Sequence, residues 1–221
     1  VRVSIVGDFN NWNGKVHPMI LDENSGIFSL FIPGLNEAIR YKYEIRAKGG
    51  AIYTKLDPYS PVAESGNSVV TTLNDFEWTD ASYLENKKRF DKSKAPFNIC
   101  EITNFTDLID DKGKDGLIRH LKDCSYNYIR LSLNNDLTMG FTNENANELK
   151  TLVNLLHKEN IGILFDVNFS YFKDDETGLS YFDGTYLYGH LDERKRYNTA
   201  FGGRCFNYGR PEVATLLNSK I

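Results

Sequence analysis

Cysteine is scarce in this sequence, with three copies among 221 residues. They stand far apart, at Cys100, Cys124 and Cys205, and an odd number of cysteines cannot pair completely into disulfides. Their spacing matches no motif of a structural metal site. We therefore expect a reduced, cytoplasmic protein that uses no metal and no cofactor.

Long apolar runs and basic clusters are also missing. No stretch approaches the roughly 18 consecutive apolar residues of a membrane-spanning helix, and no basic-then-apolar leader opens the chain. The formal net charge of −4 is spread along the sequence, which leaves no electrostatic footprint for nucleic acid. We expect neither a membrane nor a nucleic-acid partner. Because Val1 already stands in an apparent strand, we expect this sequence to be cut from something longer.

Familiar catalytic patterns are absent as well. The sequence has no Ser-His-Asp or Cys-His arrangement, no Gly-rich phosphate-binding loop and no internal repeat. His190 stands near Asp192, and a histidine in such a place is more often a hydrogen-bonded loop residue than a catalytic base. These patterns indicate no catalytic class.

What the sequence does contain, over residues 1–74, is the pattern of an antiparallel β-sandwich. Short apolar or aromatic runs at residues 1–5, 27–32, 41–45 and 69–72 predict strands, and clusters of Asn and Gly between them predict turns. Residues 75–95 are charged and predict a linker with one possible short helix. Its basic run is more typical of a solvated face than of a binding patch.

After Pro96 the pattern changes to alternating strands and helices. Strands are predicted at residues 97–102, 128–133 and 162–167, helices at 117–122 and 147–159, and a final helix from Pro211. Such alternation indicates a parallel sheet with right-handed crossovers. The segment 168–209 is too long and too aromatic for a simple connection, and we expect it to pack as a structured lid or flank.

Two alternatives are open for Trp12, which follows a turn between Asn11 and Asn13. Its ring either packs over the end of its own sandwich, as most aromatic rings do, or serves as a platform on which a sugar stacks. Lys42 lies on the strand face opposite to Tyr41 and Tyr43 and is free to meet a ligand or solvent.

Asp166 also has two interpretations. It stands near the carboxyl end of an apolar strand, which is where parallel α/β architectures place ligand-binding groups. The alternative is a structural carboxylate that holds a neighbouring loop.

Several ordered motifs resemble 1,4-α-glucan branching enzymes of the α-amylase superfamily. Val6-Gly7-Asp8-Phe9-Asn10-Asn11-Trp12, Tyr41-Lys42-Tyr43-Glu44-Ile45 and Asp57-Pro58-Tyr59 are similar to the N-terminal sandwich, a family 48 carbohydrate-binding module. Phe182-Asp183-Gly184-Thr185 and Phe206-Asn207-Tyr208-Gly209-Arg210-Pro211-Glu212-Val213 are similar to the segment after the third barrel strand. The resemblance implies an immunoglobulin-like β-sandwich followed, over residues 96–221, by an incomplete TIM-type barrel of about three βα units.

The resemblance also implies which residues bind glycan. In glycan-binding members of the module family, a Trp in the Phe-Asn-x-Trp turn and a Lys in the following strand contact the sugar. Those roles correspond to Trp12 and Lys42, with Tyr53 and either Asn67 or Ser68 as further candidates. The implied partner is an α-glucan such as glycogen, amylose or a malto-oligosaccharide.

The catalytic half departs from the family in three places. Asp166 matches the Asp of the family motif Asp-x-Val-Pro-x-His, but Tyr171 stands where the His belongs; both are substrate-binding candidates. The segment that carries a stacking Tyr in the family is reduced to about residues 134–143. The nucleophilic Asp and the acid/base Glu would lie beyond Ile221, so no catalytic residue is assigned.

Two functions follow as expectations. The first is a branching-enzyme-like protein of α-glucan metabolism that does not branch glucan as this chain, because retaining transfer needs two carboxylates about 5 Å apart. The second is a non-catalytic α-glucan-binding or scaffold protein that uses the sandwich alone. The sequence leaves open whether it is a fragment, a gene remnant or a functioning short protein, and it indicates no oligomeric state.

Overall fold

The computed structural model describes residues 1–71, 76–89, 91, 94–103, 111–132, 143–200 and 202–220. Within these ranges the chain forms two compact units. The first contains residues 1–71 together with 168–200 and 202–220, and the second contains the described parts of 76–132 together with 143–167.

The first unit is built on a five-stranded antiparallel sheet. Its strands are β1 (Arg2–Gly7), β4 (Arg40–Arg46), β5 (Ile52–Lys55), β6 (Ala63–Glu64) and β7 (Asn67–Val69). Strand β4 is central and pairs with β1, β5 and β7. A separate two-stranded hairpin is formed by β2 (Ile20–Leu21) and β3 (Phe28–Ser29). These antiparallel sheets are consistent with the predicted sandwich.

The register of the central strand decides which side chains share a face. Lys42 lies opposite Val6, whereas Ile45 lies opposite Val3 on one side and Tyr53 on the other. Directly opposed residues of antiparallel strands point to the same face, and the face alternates along each strand. Lys42 and Tyr53 therefore belong to opposite faces of the sheet.

Some strand boundaries differ from the prediction. The strand expected at residues 27–32 is only two residues long, and Phe31, beyond its end, is 86% exposed. The strand expected at 69–72 begins earlier, at Asn67. Strands β5 and β6 are short, with four and two residues, and show no clear period-two pattern of their own.

The second unit is a three-stranded parallel sheet with helices between its strands. Its strands are β8 (Ile99–Ile102), β9 (Tyr128–Ser132) and β10 (Gly162–Asp166), in the order β10-β9-β8. Helix α1 (Ala81–Arg89) precedes them, α2 (Asp111–Asp123) joins β8 to β9, and α3 (Asn143–Lys158) joins β9 to β10. The predicted parallel arrangement is confirmed for these strands. The shortened segment predicted at 134–143 lies outside the described residues, apart from the first residue of α3.

The helical periodicity of the second unit buries one face of each helix. Leu152 and Leu156 on α3 and Leu121 on α2 pack with Ile129 of the sheet, and none of the four is exposed. Away from this core, His157 Nδ1 and Asp80 Oδ2 lie 2.6 Å apart in a hydrogen bond, and the ring of Tyr83 stacks on the imidazole.

Residues after β10 form the structured segment that the sequence predicted. It contains β11 (Tyr171–Phe172), α4 (Glu193–Arg196), β12 (Tyr197–Asn198), β13 (Gly203–Cys205) and α5 (Pro211–Asn218), and its three strands form one small antiparallel sheet. Helix α5 begins at Pro211, as predicted. The core of the segment is apolar and aromatic: Phe172, Leu179, Tyr188, Phe206, Val213 and Leu216.

This segment belongs to the same compact unit as the sandwich, and the boundaries 1–74, 75–95 and 96–221 stay a prediction. The physical reason for this grouping is visible at strand β5. The Leu56 amide donates to the Thr177 carbonyl at 2.8 Å, and the buried Lys55 ammonium donates to the Glu176 carbonyl at 2.6 Å. Neither contact has a signature in local sequence. In the part of the chain that the structure describes, no helix is long and apolar enough to cross a membrane.

Candidate functional site

The turn that follows β1 presents Trp12 at the end of the sheet. Asn11 and Trp12 both have positive φ, at 52° and 58°, and the Trp12 amide donates back to the Gly7 carbonyl at 3.0 Å. Buried Asn10 closes the turn, because its side chain accepts from the Gly7 amide and donates to the Ile5 carbonyl, each at 2.9 Å. A Cβ at Gly7 would lie 2.4 Å from the Arg40 carbonyl oxygen, so only glycine fits there.

The indole of Trp12 is held from one edge and remains 38% exposed. Its Nε1 donates to Asp8 Oδ1 at 3.2 Å, and the other carboxylate oxygen of Asp8 accepts from Arg40 Nε at 3.0 Å. This contact with Arg40 holds the pKa of the Asp8 carboxyl below its usual range. The ring is therefore oriented by an ionised carboxylate while part of its surface faces solvent, as a stacking platform requires.

Lys42 stands on β4 two residues after Arg40, on the same face of the sheet. Its side chain is half-buried, and burial lowers the pKa of its ammonium. Among the residues that the structure describes, none forms a hydrogen bond or ion pair with this ammonium. An ammonium without a protein partner is available to donate to a ligand or to water.

The other sandwich candidates divide between the two faces. On β7, the pairing of Val69 with Arg40 places Asn67 on the Lys42 face, where its side-chain amide donates to the Ser65 carbonyl at 3.1 Å. Ser68 points the other way, is buried, and accepts from the Asp57 amide at 2.9 Å, which is a structural role. Strand pairing thus places Lys42 and Asn67 on the face of Arg40, which the Asp8 carboxylate links to Trp12, and it places Tyr53 on the other face.

The two candidates of the α/β half are found in different units. Asp166 ends β10, where its carboxylate is paired with Arg130 and lies 3.5 Å from Ser132 Oγ. This geometry favours a structural carboxylate over a free ligand-binding one. Tyr171 stands in β11, opposite Cys205, with its ring against Gly203.

A second group of polar and aromatic residues surrounds a cleft of about 790 Å³ along the edge strand β5. Its base is formed by Lys55, whose side chain is buried and whose ammonium is held by the carbonyls of Glu176 and Ser180. Burial lowers the pKa of Lys55, and the charge of Asp175 opposes this shift. The wall consists of residues 174–177, 180, 181 and 204.

Two tyrosines and two arginines cluster beside this cleft, and Tyr181 and Arg204 line it. The guanidinium of Arg196 lies 3.7 Å from the Tyr186 ring centroid, and the Tyr181 ring lies 4.5 Å from that of Tyr186. Arg204 lies 5.2 Å from the Tyr181 ring and donates from Nε to Asp174 Oδ1 at 2.6 Å. That bond lowers the pKa of Asp174.

Local sequence does not predict the cleft, although it singles out Tyr53 and the aromatic segment 168–209. The only available signal was the number of tyrosines after residue 170, which predicts a structured flank without saying which strand it covers. The pairing of residues 174–181 with β5 spans more than 100 residues, and no local pattern reports it.

Comparison with known proteins supports the interpretation of the N-terminal part of the chain as a carbohydrate-binding module. Residues 1–60 match the carbohydrate-binding module 48 family, described as the isoamylase N-terminal domain. Over 99% of its length the chain is 34% identical to the 1,4-alpha-glucan branching enzyme GlgB of Nitrosomonas europaea, and over 98% it is 33% identical to that of Thermosynechococcus vestitus. The chain spans about a third of the length of these curated relatives, 33% and 34% respectively.

Solved structures agree at the level of the fold. A pullulanase from Anoxybacillus sp. LM18-11, complexed with maltotetraose, superimposes with a TM-score of 0.71 at 12% identity, covering 99% of this chain and 39% of that one. A putative alpha amylase from Salmonella typhimurium gives a TM-score of 0.65 at 14% identity, covering 99% of this chain and 37% of that one. At such identities the likeness concerns the fold alone.

Proposed function

We propose that this relative of 1,4-alpha-glucan branching enzymes acts in α-glucan metabolism and that its sandwich binds α-glucan on the face of Trp12, Lys42 and Asn67. The observation that carries the proposal is the half-buried Lys42 side chain, whose ammonium has no hydrogen-bond or ion-pair partner among the described residues. The exposed Trp12 ring is presented at the end of the same sheet. The named curated relatives are branching enzymes, and one structural neighbour was solved with maltotetraose.

The chemical roles follow from the geometry. The exposed part of the indole offers an apolar surface for a sugar ring, with its orientation set by Asp8. The Lys42 ammonium donates to sugar hydroxyl oxygens. Asn67 supplies an amide that both donates and accepts. With one stacked ring and few polar contacts, we expect a dissociation constant of about 1 mM.

We also propose that the α/β part corresponds to the beginning of an α-amylase-type barrel and that these 221 residues do not form branches on their own. The three parallel strands with connecting helices support the first statement. Retaining transfer needs two carboxylates about 5 Å apart, and the candidate Asp166 is already paired with Arg130. The three free cysteines support a cytoplasmic location.

NMR titration of the ¹⁵N-labelled chain with maltoheptaose tests the binding proposal. The Trp12 indole resonance is expected to shift, and Trp78, which is 48% exposed in the other unit, is the control within the same spectrum. Trp12→Ala and Lys42→Met are each expected to abolish saturable binding at this face. Absence of a Trp12 shift at maltoheptaose concentrations well above 1 mM would end the proposal.

The statement about catalysis needs its own assay. After incubation with amylose, the product is analysed for α-1,6 linkages by NMR of the anomeric protons. We expect no increase over a sample without protein. A rise in α-1,6 signal that depends on protein concentration would show that the chain branches glucan.

A further inference from the structure

The cleft along β5 is lined by groups that the fold only partly uses. The carboxylate of Glu176 is exposed, and within the described part of the chain it accepts no hydrogen bond and forms no ion pair. The Tyr53 hydroxyl likewise has no hydrogen-bond partner there. Asp174 retains acceptor capacity beside its contacts with Arg204 and Ser180.

The Tyr181 ring gives the cleft an aromatic surface. Its residue has φ of 48°, which is the left-handed region, and its side chain is 38% exposed. That region is energetically unfavourable for a non-glycine residue. The ring is backed by Tyr186, which is itself backed by Arg196. The fold therefore holds an exposed ring in a fixed orientation at a cost in backbone energy.

The charged side chains around the cleft indicate which class of ligand it can bind. Asp174, Asp175 and Glu176 face Lys55 and Arg204 around the cleft, so three negative charges stand against two positive ones. An excess of carboxylates disfavours an anion. A second cation on the Tyr181 ring is disfavoured because Arg204 already lies near it. A neutral sugar is neither an anion nor a cation, so neither objection applies to it. Its hydroxyls can donate to the carboxylates while the apolar face of its ring stacks on the tyrosine.

We propose that the cleft between β5 and residues 174–181 is a second carbohydrate-binding site, which takes a neutral hexose unit of an α-glucan. Tyr181 is the stacking platform, and Glu176 and Asp174 accept hydrogen bonds from the sugar hydroxyls. Tyr53 lines the opposite side of this cleft. In this proposal Tyr53 therefore belongs to the second site and not to the site of Lys42. The α-glucan identity of the ligand rests on the function proposed above, whereas the position of the site rests on this cleft alone.

The same maltoheptaose titration tests the site through the backbone amides of residues 53, 54, 176, 177 and 181. These amides are expected to shift in the wild-type chain and to keep shifting in Trp12→Ala, because the two sites use different faces of the sheet. In Tyr181→Gly they are expected to respond about tenfold more weakly. Glycine accepts the left-handed backbone without strain, so this variant removes the ring and retains the fold.

Two further variants refine the result. Tyr197→Ala removes an exposed tyrosine on β12 outside the cleft, and it should leave the titration unchanged. Glu176→Ala should weaken binding more than Glu176→Gln, since glutamine keeps one acceptor oxygen.

Each outcome decides between the sites. Cleft shifts that persist in Tyr181→Gly, or that disappear in Trp12→Ala, would overturn the second site, and so would a wild-type cleft that does not respond. A response at Trp12 alone would leave the sandwich proposal intact. A response in the cleft alone would refute the sandwich proposal and retain the second site.

Discussion

The Trp12 indole nitrogen donates to the Asp8 carboxylate at 3.2 Å, and the same carboxylate binds Arg40 of the central strand. A residue of the turn is thereby tied to the sheet that carries Lys42. The ring position depends on a side chain that does not itself need to touch sugar. Asp8 is thus a positioning residue of the sandwich site.

We predict that Asp8→Ala weakens maltoheptaose binding a few-fold at the Trp12 face and changes the melting temperature little. The ion pair with Arg40 is exposed, so solvent screens it and its loss affects orientation more than stability. NMR titration and a thermal melt measure the two effects. Asp22→Ala, which removes another exposed turn carboxylate, is the control. Equal affinity in Asp8→Ala and wild type would contradict the positioning role.

Lys42→Met is expected to lose glucan binding at the Trp12 face without losing stability. The substitution removes an ammonium that burial disfavours, and it retains most of the apolar stem. A chemical denaturation curve should therefore show equal or higher stability, while the titration shows no saturable binding at the Trp12 face. Lys48→Met, at an exposed loop position, should change neither. A clear drop in stability would mean that Lys42 serves the fold instead.

The pH dependence of binding follows from the same group. Its pKa in the folded chain is lower than the unfolded value of about 10.4. Affinity should therefore fall as the pH rises through the folded pKa. Between the two values the unfolded chain binds more protons, so the contribution of Lys42 to stability rises with pH. Titrations at increasing alkaline pH, with Lys42→Met as reference, test both signs.

Lys55→Met is expected to destabilise the first unit by about 3 kcal/mol. Lys55 is buried, and its removal leaves the carbonyls of Glu176 and Ser180 without their donor. Urea unfolding measures the effect. Lys48→Met is expected to stay within about 0.5 kcal/mol of wild type. A small effect of Lys55→Met would mean that water replaces the ammonium at both carbonyls.

Gly184→Ala should cost about 2 kcal/mol, because it combines two unfavourable changes. Gly184 has φ of 85°, and a Cβ there would lie 2.7 Å from the Ala47 Cβ and 3.3 Å from the Tyr53 ring. Gly116→Ala is the matched comparison. It lies inside α2 with no atom near the added Cβ, and it should stabilise by about 0.5–1 kcal/mol. Opposite signs in urea unfolding are expected for the two variants.

Local sequence was sufficient for the elements that carry their own periodicity. The apolar spacing of α3 and the uninterrupted apolar strand β10 are visible without any partner, as is the proline that begins α5. The turn at Trp12 was likewise readable, since Gly7 and Asn10 occupy positions where the backbone needs them. These features depend on interactions between residues that are close in sequence, so the local sequence is enough to predict them.

Only the tertiary structure shows which face of the sheet each side chain lies on and which residues distant in sequence are in contact. The sequence alone groups Tyr53 and Lys42 in one predicted site, but strand pairing places them on opposite faces of the sheet. Side chains alternate between faces along a strand, so a change of one residue in register moves every side chain to the other face. The cover of β5 by residues 174–181 depends on contacts such as that of Lys55 with Glu176. Local residue patterns thus determine the type of each element and the motifs it carries. Long-range pairing decides which residues face one ligand, since burial and register are properties of the assembled sheet.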